Sequence, residues 1–393
     1  MGHIRQRAEG SWEITYELPR TVDGKRRQRT KTVHGKRNDA KLELARIELE
    51  IDAEKYLEPS RMDLKQFLHK WLKDYAKYKV NPKTYEEYER IIETNLIPGL
   101  GHISLSKLKP LHIQEYYTAM LESGSKIGRG GLSPQTVKNH HRLLHRALVL
   151  AVKWRLIAEN PADGASPPTL ARKETNILDG LGMARLLEAA QGTRLYIPIL
   201  IATTTGMRRG EILALRWEDL NFKTGLLKVR RSLGQTKEGL FIKEPKTPSG
   251  YRPVLLPSFV VDALRRHKAE QAKLRLLLGP DYQDKEGLIC VKEDGSQYPP
   301  NRLTRNFEDF VKRLDLPHIR FHDLRHSLAT LLADENVNVK ATSERLGHSD
   351  VAFTLQRYTH VSPHMQREAA EAIDKVMRAA IQKVQENTQA DCL

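Results

Sequence analysis

The sequence predicts a multidomain protein: a small N-terminal sheet-plus-helix module, an all-α module of four helices, and a mixed α+β domain, mainly helical with a small antiparallel sheet. Three observations lead there. At 393 residues the chain is too long for one ordinary core. The stretch "ENPADGASPPTLARKETN" (Glu159–Asn176) has the Pro, Gly and small-residue composition of a linker. Apolar spacing changes along the chain, from strand-like alternation to helical repeats, and a β-rich insert interrupts the helices of the second half. The expected bounds are 1–60, 61–163, a linker at 164–174, 175–365, and a C-terminal helix and tail at 366–393.

In the first module Trp12, Ile14 and Tyr16 alternate with polar residues, and "DGKRRQ" reads as a turn into a second β-prone run. A helix should follow from about Asp39 to Tyr56. Charge divides sharply: Arg20 to Lys41 is basic and Leu42 to Glu58 acidic. That split points the sheet, rather than the helix, towards a polyanion. Lysine-rich hairpin turns also serve solubility and edge protection.

Between Asp63 and Pro161 the pattern is helical. "LKQFLHKWLKDYAKY" repeats apolar residues at helical spacing, and "TYEEYERIIETNLIPGLG" does so until Pro98 should stop it. "KLKPLHIQEYYTAMLES" follows, then "SPQTVKNHHRLLHRALVLAVKW", where Ser133 and Pro134 form a helix start. "GSKIGRGG" reads as a flexible basic loop. After the linker come helices at "LGMARLLEAAQ" and "RLYIPILIATTTG", then β-prone "GLLKVRRS", "GLFIKEPKTPSGYRPVLLP" and "GLIC", then helices again.

The formal net charge of +16 attracts polyanions, of which nucleic acid is the commonest in a cell. Cys290 and Cys392 stand alone, outside any CxxC spacing, so neither a disulfide framework nor a thiolate zinc site is read from them. The longest apolar run, Leu195–Ala202, is too short to span a bilayer, and "MGHIRQRAEG" lacks a signal-peptide core. A soluble, cytoplasmic chain with no membrane partner is expected.

Four stretches of the second half carry chemistry-bearing residues. In "TTTGMRRGEILALRWEDL", Gly206 allows a tight turn that places Arg208 and Arg209 at a helix start, where they oppose the macrodipole unless an anion sits there. Surface pairing with Glu211 or Glu218 is the other reading. In "EPKTPSGYRPVLLP", Lys246 falls near an expected hairpin tip, either as a proton donor or as plain solvated charge. In "RFHDLRHSLATLLADE", His322 and Arg325 lie at i and i+3 on one face, with Leu324, Leu328 and Leu331 on the buried face. His322, Asp323 and His326 offer a competing metal reading, although the HEXXH order is absent. In "ERLGHSDVAFTLQRYTHVS", Gly347 ends a helix, His348 follows, and Tyr358 is either a reactive group or a core tyrosine. Together these side chains supply cations for phosphate oxygens, proton donors and acceptors, and a nucleophile, which is what phosphoryl transfer through a covalent intermediate requires.

The motifs "TGMRRGE", "PKTPSGYR", "HDLRHS", "LGHSD" and "YTHV" resemble those of the tyrosine recombinases, the integrases of phages and conjugative transposons. "SPQTVKNHHRLLHRALVLAVKWRLIAENP" resembles the family's helical core-site-binding domain, and the N-terminal segment its three-stranded arm-binding domain. Ser327 stands where a threonine is more usual. The resemblance implies Tyr358 as nucleophile, Arg208 and Arg325 as phosphate clamps, Lys246 as general acid, His322 in proton transfer at the tyrosine, and His348 as a hydrogen-bond donor to the phosphate. Glu211 would orient Arg208, and His326 is read as structural. Arg20, Lys25, Arg26, Arg27, Arg29 and Lys31 of the sheet, with Lys138 and Arg142 of the Ser133 helix, are the DNA-contact candidates. No metal and no cofactor are implied. The implied partners are duplex attachment sites, four protomers around a Holliday junction, and an excisionase or DNA-bending protein. The C-terminal helix would contact a neighbouring protomer or return in cis. Relaxation of the type IB topoisomerase kind and a non-catalytic DNA-binding regulator are the alternatives.

Overall fold

The computed structural model describes residues 2–18, 27–52, 62–124, 130–170, 176–244, 250–284 and 286–347. The chain forms two compact units, Met1–Arg172 and Lys173–Leu393.

The first unit opens with strands β1 (His3–Ala8), β2 (Ser11–Leu18) and β3 (Arg27–His34), an antiparallel sheet in sequence order. Ile14, Tyr16 and Leu18 of β2 alternate inward and bury against Ala40, Leu44 and Ile47 of α1 (Arg37–Asp52). Alternation of period two on the strand and helical spacing on α1 create that contact. Asp39 ties the helix entry, accepting from the Lys36 amide at 2.7 Å, so α1 starts slightly earlier than expected. Strand β1 was not legible from the residues, because "HIRQRA" offers one half-buried apolar side chain, Ile4, and no alternation.

The helices of the first unit bury a second cluster built on Phe67, Trp71, Ile92, Leu96, Tyr117, Leu144 and Leu148. Helix α2 (Leu64–Trp71) starts at an Asp63–Gln66 capping box and runs through a π-helical turn, Leu72–Ala76, into α3 (Lys77–Lys79). Helix α4 (Pro82–Ile91), capped by Asn81, likewise passes through a π turn, Ile92–Leu96, into α5 (Ile97–Leu100). Pro98 therefore does not stop the helix: it falls in the first turn after the widened turn, where a missing amide donor costs little. Helix α6 (Pro110–Ser123) packs on α7 (Pro134–Lys153), whose start is the expected one, with the Ser133 hydroxyl accepting from the Thr136 amide at 3.2 Å. Two tyrosines of α6 meet two histidines of α7: Tyr116 Oη lies 2.9 Å from His140 Nδ1, and Tyr117 Oη 2.6 Å from His141 Nδ1. The stretch read as linker begins as packed structure, since Asn160, Ala162 and Ala165 are buried and the last two join this core. Small residues fit there for packing, not only for flexibility.

In the second unit α8 (Gly180–Ala190) and α9 (Tyr196–Thr205) lead into the short α10 (Arg209–Leu213). Strands β4 (Leu220–Asn221), β5 (Leu226–Val229) and β8 (Arg252–Leu255) form one antiparallel sheet, while β6 (Ser232–Thr236) and β7 (Gly239–Lys243) pair separately. The strands on either side of Lys246, β7 and β8, thus belong to different sheets, and Lys246 itself lies outside the described residues. "GLIC" contributes only an isolated bridge, Leu288 to Arg216, instead of a strand. Helices α11 (Ser258–Leu278), α12 (Pro300–Val311), α13 (Asp323–Asp334) and α14 (Val339–Leu346) complete the unit. Helix α9 is buried on nearly every side from Ile197 to Thr205 and packs against α8, α11 and α13, which makes it the axis of this core. It ends at Gly206 in the left-handed conformation, φ 66°.

Two outcomes follow from this packing. His140 is 1% exposed, and burial, with Arg90 adding to it, pushes its imidazole down to about 4. An unfolded chain takes up that proton near 6.5 and the folded one only near 4, so stability rises with pH across that window. Acidification through the window should remove on the order of 3 kcal/mol, seen as a falling melting temperature. His140→Gln should flatten that dependence, and an unchanged slope would refute the assignment. Gly206→Ala should cost roughly 2–4 kcal/mol, from the left-handed backbone and from a Cβ that collides with the Leu346 side chain. Chemical denaturation measures it; a loss below about 1 kcal/mol would mean that the turn relaxes at little cost.

Candidate active site

The turn at Gly206 is where the described candidates converge. Its carbonyl accepts a 2.6 Å hydrogen bond from Arg325 Nη1 of α13. Two residues on, Arg208 caps α10 and Arg209 is its first residue, so both arginines stand at the helix start as expected. They then part. Arg209 reaches the Thr304 hydroxyl on α12. Arg208 donates to Glu211 Oε1 at 2.8 Å and to the Gly347 carbonyl at 3.3 Å, with 46% of its side chain exposed.

Glu211 is not the surface partner that a sequence pairing suggests. Its side chain is 5% exposed and is held from two sides. Oε2 accepts from the Arg208 amide at 3.0 Å and from Arg252 Nη2 at 2.9 Å. Burial alone would raise this carboxyl, but Arg252 and Arg208 outweigh it and the net shift is downward, so the group is an anion. Arg252, on β8, also donates from Nε to the Arg345 carbonyl at 2.8 Å. Arg345 in turn donates to the Thr204 carbonyl at 2.8 Å and the Leu255 carbonyl at 3.1 Å.

Helix α13 begins at Asp323 with His322 as its cap, and every residue from Asp323 to Ala329 is buried. The first turn is therefore not a solvated one. Leu324 and Leu328 take the expected buried face, while Leu331 is only half-buried. Arg325 is 3% exposed. His322 keeps an open edge, yet loss of hydration lowers its pKa and the adjacent Arg325 lowers it further, so the ring is neutral at neutral pH. Its ring meets that of His326 edge-on at 5.2 Å. Asp323 accepts three N–H groups of Arg320 at 2.8–3.0 Å. Among the described residues no three of His, Cys, Asp and Glu gather as a metal set would. Ser327 spans two segments, its hydroxyl accepting from the Leu178 amide at 2.9 Å and donating to the Asp323 carbonyl at 3.0 Å. A methyl group there is dispensable to both bonds, which accounts for serine serving in place of threonine.

The structure thus brings Arg208, Glu211, His322 and Arg325 around one turn. Lys246, His348 and Tyr358 lie outside the described residues, as do Arg20, Lys25 and Arg26. Arg252 and Arg345 were missed. Arg252 stood inside the quoted "PSGYR", but only its burial against Glu211 gives it a role.

Of the other cations, Lys138 is half-buried and Arg142 exposed on α7. Arg27, Arg29 and Lys31 are exposed on β3, and the strand register assigns their side. They sit opposite Leu18, Tyr16 and Ile14, the residues that face α1, so all three project on the helix side of the sheet. Lys31 accordingly pairs with Glu43 of α1 at 2.6 Å, and that bond lowers the Glu43 carboxyl. The opposite face carries Arg5 against Glu13, and Arg7 in a 2.6 Å ion pair with the same Glu13.

Residues 177–365 match the phage integrase family, and residues 63–121 match its N-terminal SAM-like domain. The tyrosine recombinase XerC-like protein of Caldanaerobacter subterraneus subsp. tengcongensis is 28% identical over 332 residues, 79% of this chain and 82% of that protein. The fold is shared with the Tn1549 transposon integrase, solved in complex with a circular-intermediate DNA, at TM-score 0.67 and 24% identity over 79% of this chain and 99% of that one. It is shared also with lambda integrase, solved as a tetramer bound to a Holliday junction, at TM-score 0.53 and 18% identity over 88% of this chain and 95% of that one. Among the described residues no helix is long and apolar enough to cross a membrane. The chain belongs to the phage integrase family, the tyrosine recombinases that recombine DNA at specific sites by cutting and rejoining it.

Proposed function

We propose that the chain recombines the ends of a mobile element in the cytoplasm, through a 3′-phosphotyrosyl intermediate formed by Tyr358. The observation that carries this reading is the pairing of Arg208 and Arg325 about the Gly206 turn, with a buried anion, Glu211, holding the first. Forks so placed can take the non-bridging oxygens of one phosphate, where charge accumulates in the transition state. The phenolic oxygen of Tyr358 attacks phosphorus, a P–O bond forms to tyrosine, and the 5′ oxygen leaves with a proton from Lys246. His322, neutral at the working pH, takes the tyrosine proton, and His348 donates to the phosphate. The reverse reaction with a different 5′-hydroxyl rejoins the strand, so the bond energy is conserved and no nucleotide is consumed.

The helical region 61–163 would act as a four-helix core-site-binding domain, and the sheet with α1 as an arm-site module. The lambda integrase tetramer on a Holliday junction supports four protomers as the working assembly here. The C-terminal segment 366–393 would link protomers, with an excisionase or DNA-bending protein setting direction.

A nicked suicide duplex made from the DNA flanking the coding gene tests the chemistry. Wild type should accumulate a covalent protein–DNA adduct, and Tyr358→Phe should form none; an adduct in that variant would remove the nucleophile assignment. Arg208→Lys and Arg325→Lys should each slow adduct formation by about 100-fold or more, the usual effect of losing one oxyanion donor. The rate should also depend on pH. Because the His322 pKa is lowered, the ring stays neutral down to below its ordinary value of 6.5, and cleavage should fall only under that pH. His322→Gln should lose this acid limb; a variant that keeps it shows that another group titrates.

A further inference from the structure

We propose that Arg252 is a positioning residue of the cleavage chemistry, which keeps Arg208 available to phosphate by taking up the charge of Glu211. This rests on the reading of Arg208 as a phosphate clamp. The arrangement is specific. Arg252 and Glu211 are each 5% exposed in their side chains and lie 2.9 Å apart, although 41 residues separate them in the chain. Arg208 shares the same carboxylate, but 46% of its side chain remains open. One anion therefore serves two guanidinium groups, and the surplus positive charge resides on the exposed one.

Without Arg252 the balance changes. A buried carboxylate facing a single arginine forms a closed pair with it, and a phosphate must then compete with Glu211 for the same fork. Arg252 also holds geometry. Its Nε bond to the Arg345 carbonyl, 2.8 Å, ties β8 to the end of α14, and the Gly347 carbonyl one turn-residue further accepts from Arg208 at 3.3 Å. Gly347 precedes His348 in sequence. Arg252 thus fastens both the carboxylate and the backbone that hold Arg208, without itself reaching the solvent-open side.

A buried ion pair is a poor device for stability alone, since apolar residues of similar volume often do as well. The positioning role makes a different prediction, a non-additive one. Single-turnover cleavage of the nicked flanking-DNA duplex, at saturating protein, is compared for wild type, Arg252→Gln, Glu211→Gln, the double variant and Arg208→Lys. Arg252→Gln should cut about 30–100-fold more slowly, with duplex affinity changed less than about 3-fold. Adding Glu211→Gln should not slow it further and should restore part of the rate, because the competing anion is gone. Losses that multiply in the double variant, or an Arg252→Gln enzyme as fast as wild type, overturn the proposal. If Arg252→Gln does not fold, as judged by its melting transition, Arg252→Lys replaces it in the same cycle; if neither folds, Arg252 is structural and the proposal falls. Unchanged cleavage by Arg208→Lys would instead overturn the clamp reading itself, and the two failures are thereby told apart.

Discussion

The second unit is organised by one backbone constraint, the left-handed turn at Gly206. A helix as apolar as α9 can only sit in the middle of the core, and its C-terminal carbonyls must find donors there. They find arginines: Arg325 donates to the Gly206 carbonyl and Arg345 to that of Thr204. The absence of a side chain at 206 admits Leu346 and Leu328, which bring α13 and α14 against the same turn. The capping of one buried helix thus collects the described candidate residues, whose arrangement follows from satisfying α9.

Electrostatically this is an expensive place to gather cations. Arg208 and Arg252 share the Glu211 carboxylate, while Arg325 and Arg345 donate to the backbone carbonyls of Gly206 and Thr204 in the same small region. The carbonyls of Gly347, Arg345 and Gly206 accept from Arg208, Arg252 and Arg325, and a neutral carbonyl orients a guanidinium without cancelling its charge. On the proposed reading, an anion whose oxygens match two forks would be favoured in such an arrangement. Asp323 does not alter the sum, being bound by Arg320. Loss of hydration is the main cause of the depressed His322 pKa and Arg325 adds to it, and the neutral ring that results is what can accept a proton.

How much of this was legible in the sequence depended on range. The Ser133–Pro134 helix start was readable because a cap is settled within four residues. The inward alternation of Trp12, Ile14 and Tyr16 was readable for the same reason, whereas β1 carried too little apolar signal to announce a strand. Pro98 misled because a π turn upstream accommodates it, and a π turn leaves no compositional mark. Two β-prone runs flank Lys246, but local pattern does not say which strands pair, and β7 and β8 belong to different sheets. The motif arginines, and Glu211 as the partner of Arg208, could be listed, while the two-sided hold on Glu211 and its pairing with Arg252 could not. Those depend on the burial of a carboxylate, and burial is decided by segments 41 residues away.

The N-terminal sheet shows why a basic composition alone does not define a contact surface. Arg27, Arg29 and Lys31 recur at every second position of β3, yet pairing with β2 turns them to the side that carries the acidic helix. There Lys31 is drawn to Glu43. The opposite face is only moderately basic, since Glu13 offsets Arg7. Exposed cations of this kind attract a duplex through counterion release, without regard to sequence or exact register. The arginines around Gly206 differ in kind. They are held by backbone carbonyls and a buried carboxylate, so on the proposed reading they would accept a phosphate only where the rest of the protein has set the DNA backbone correctly.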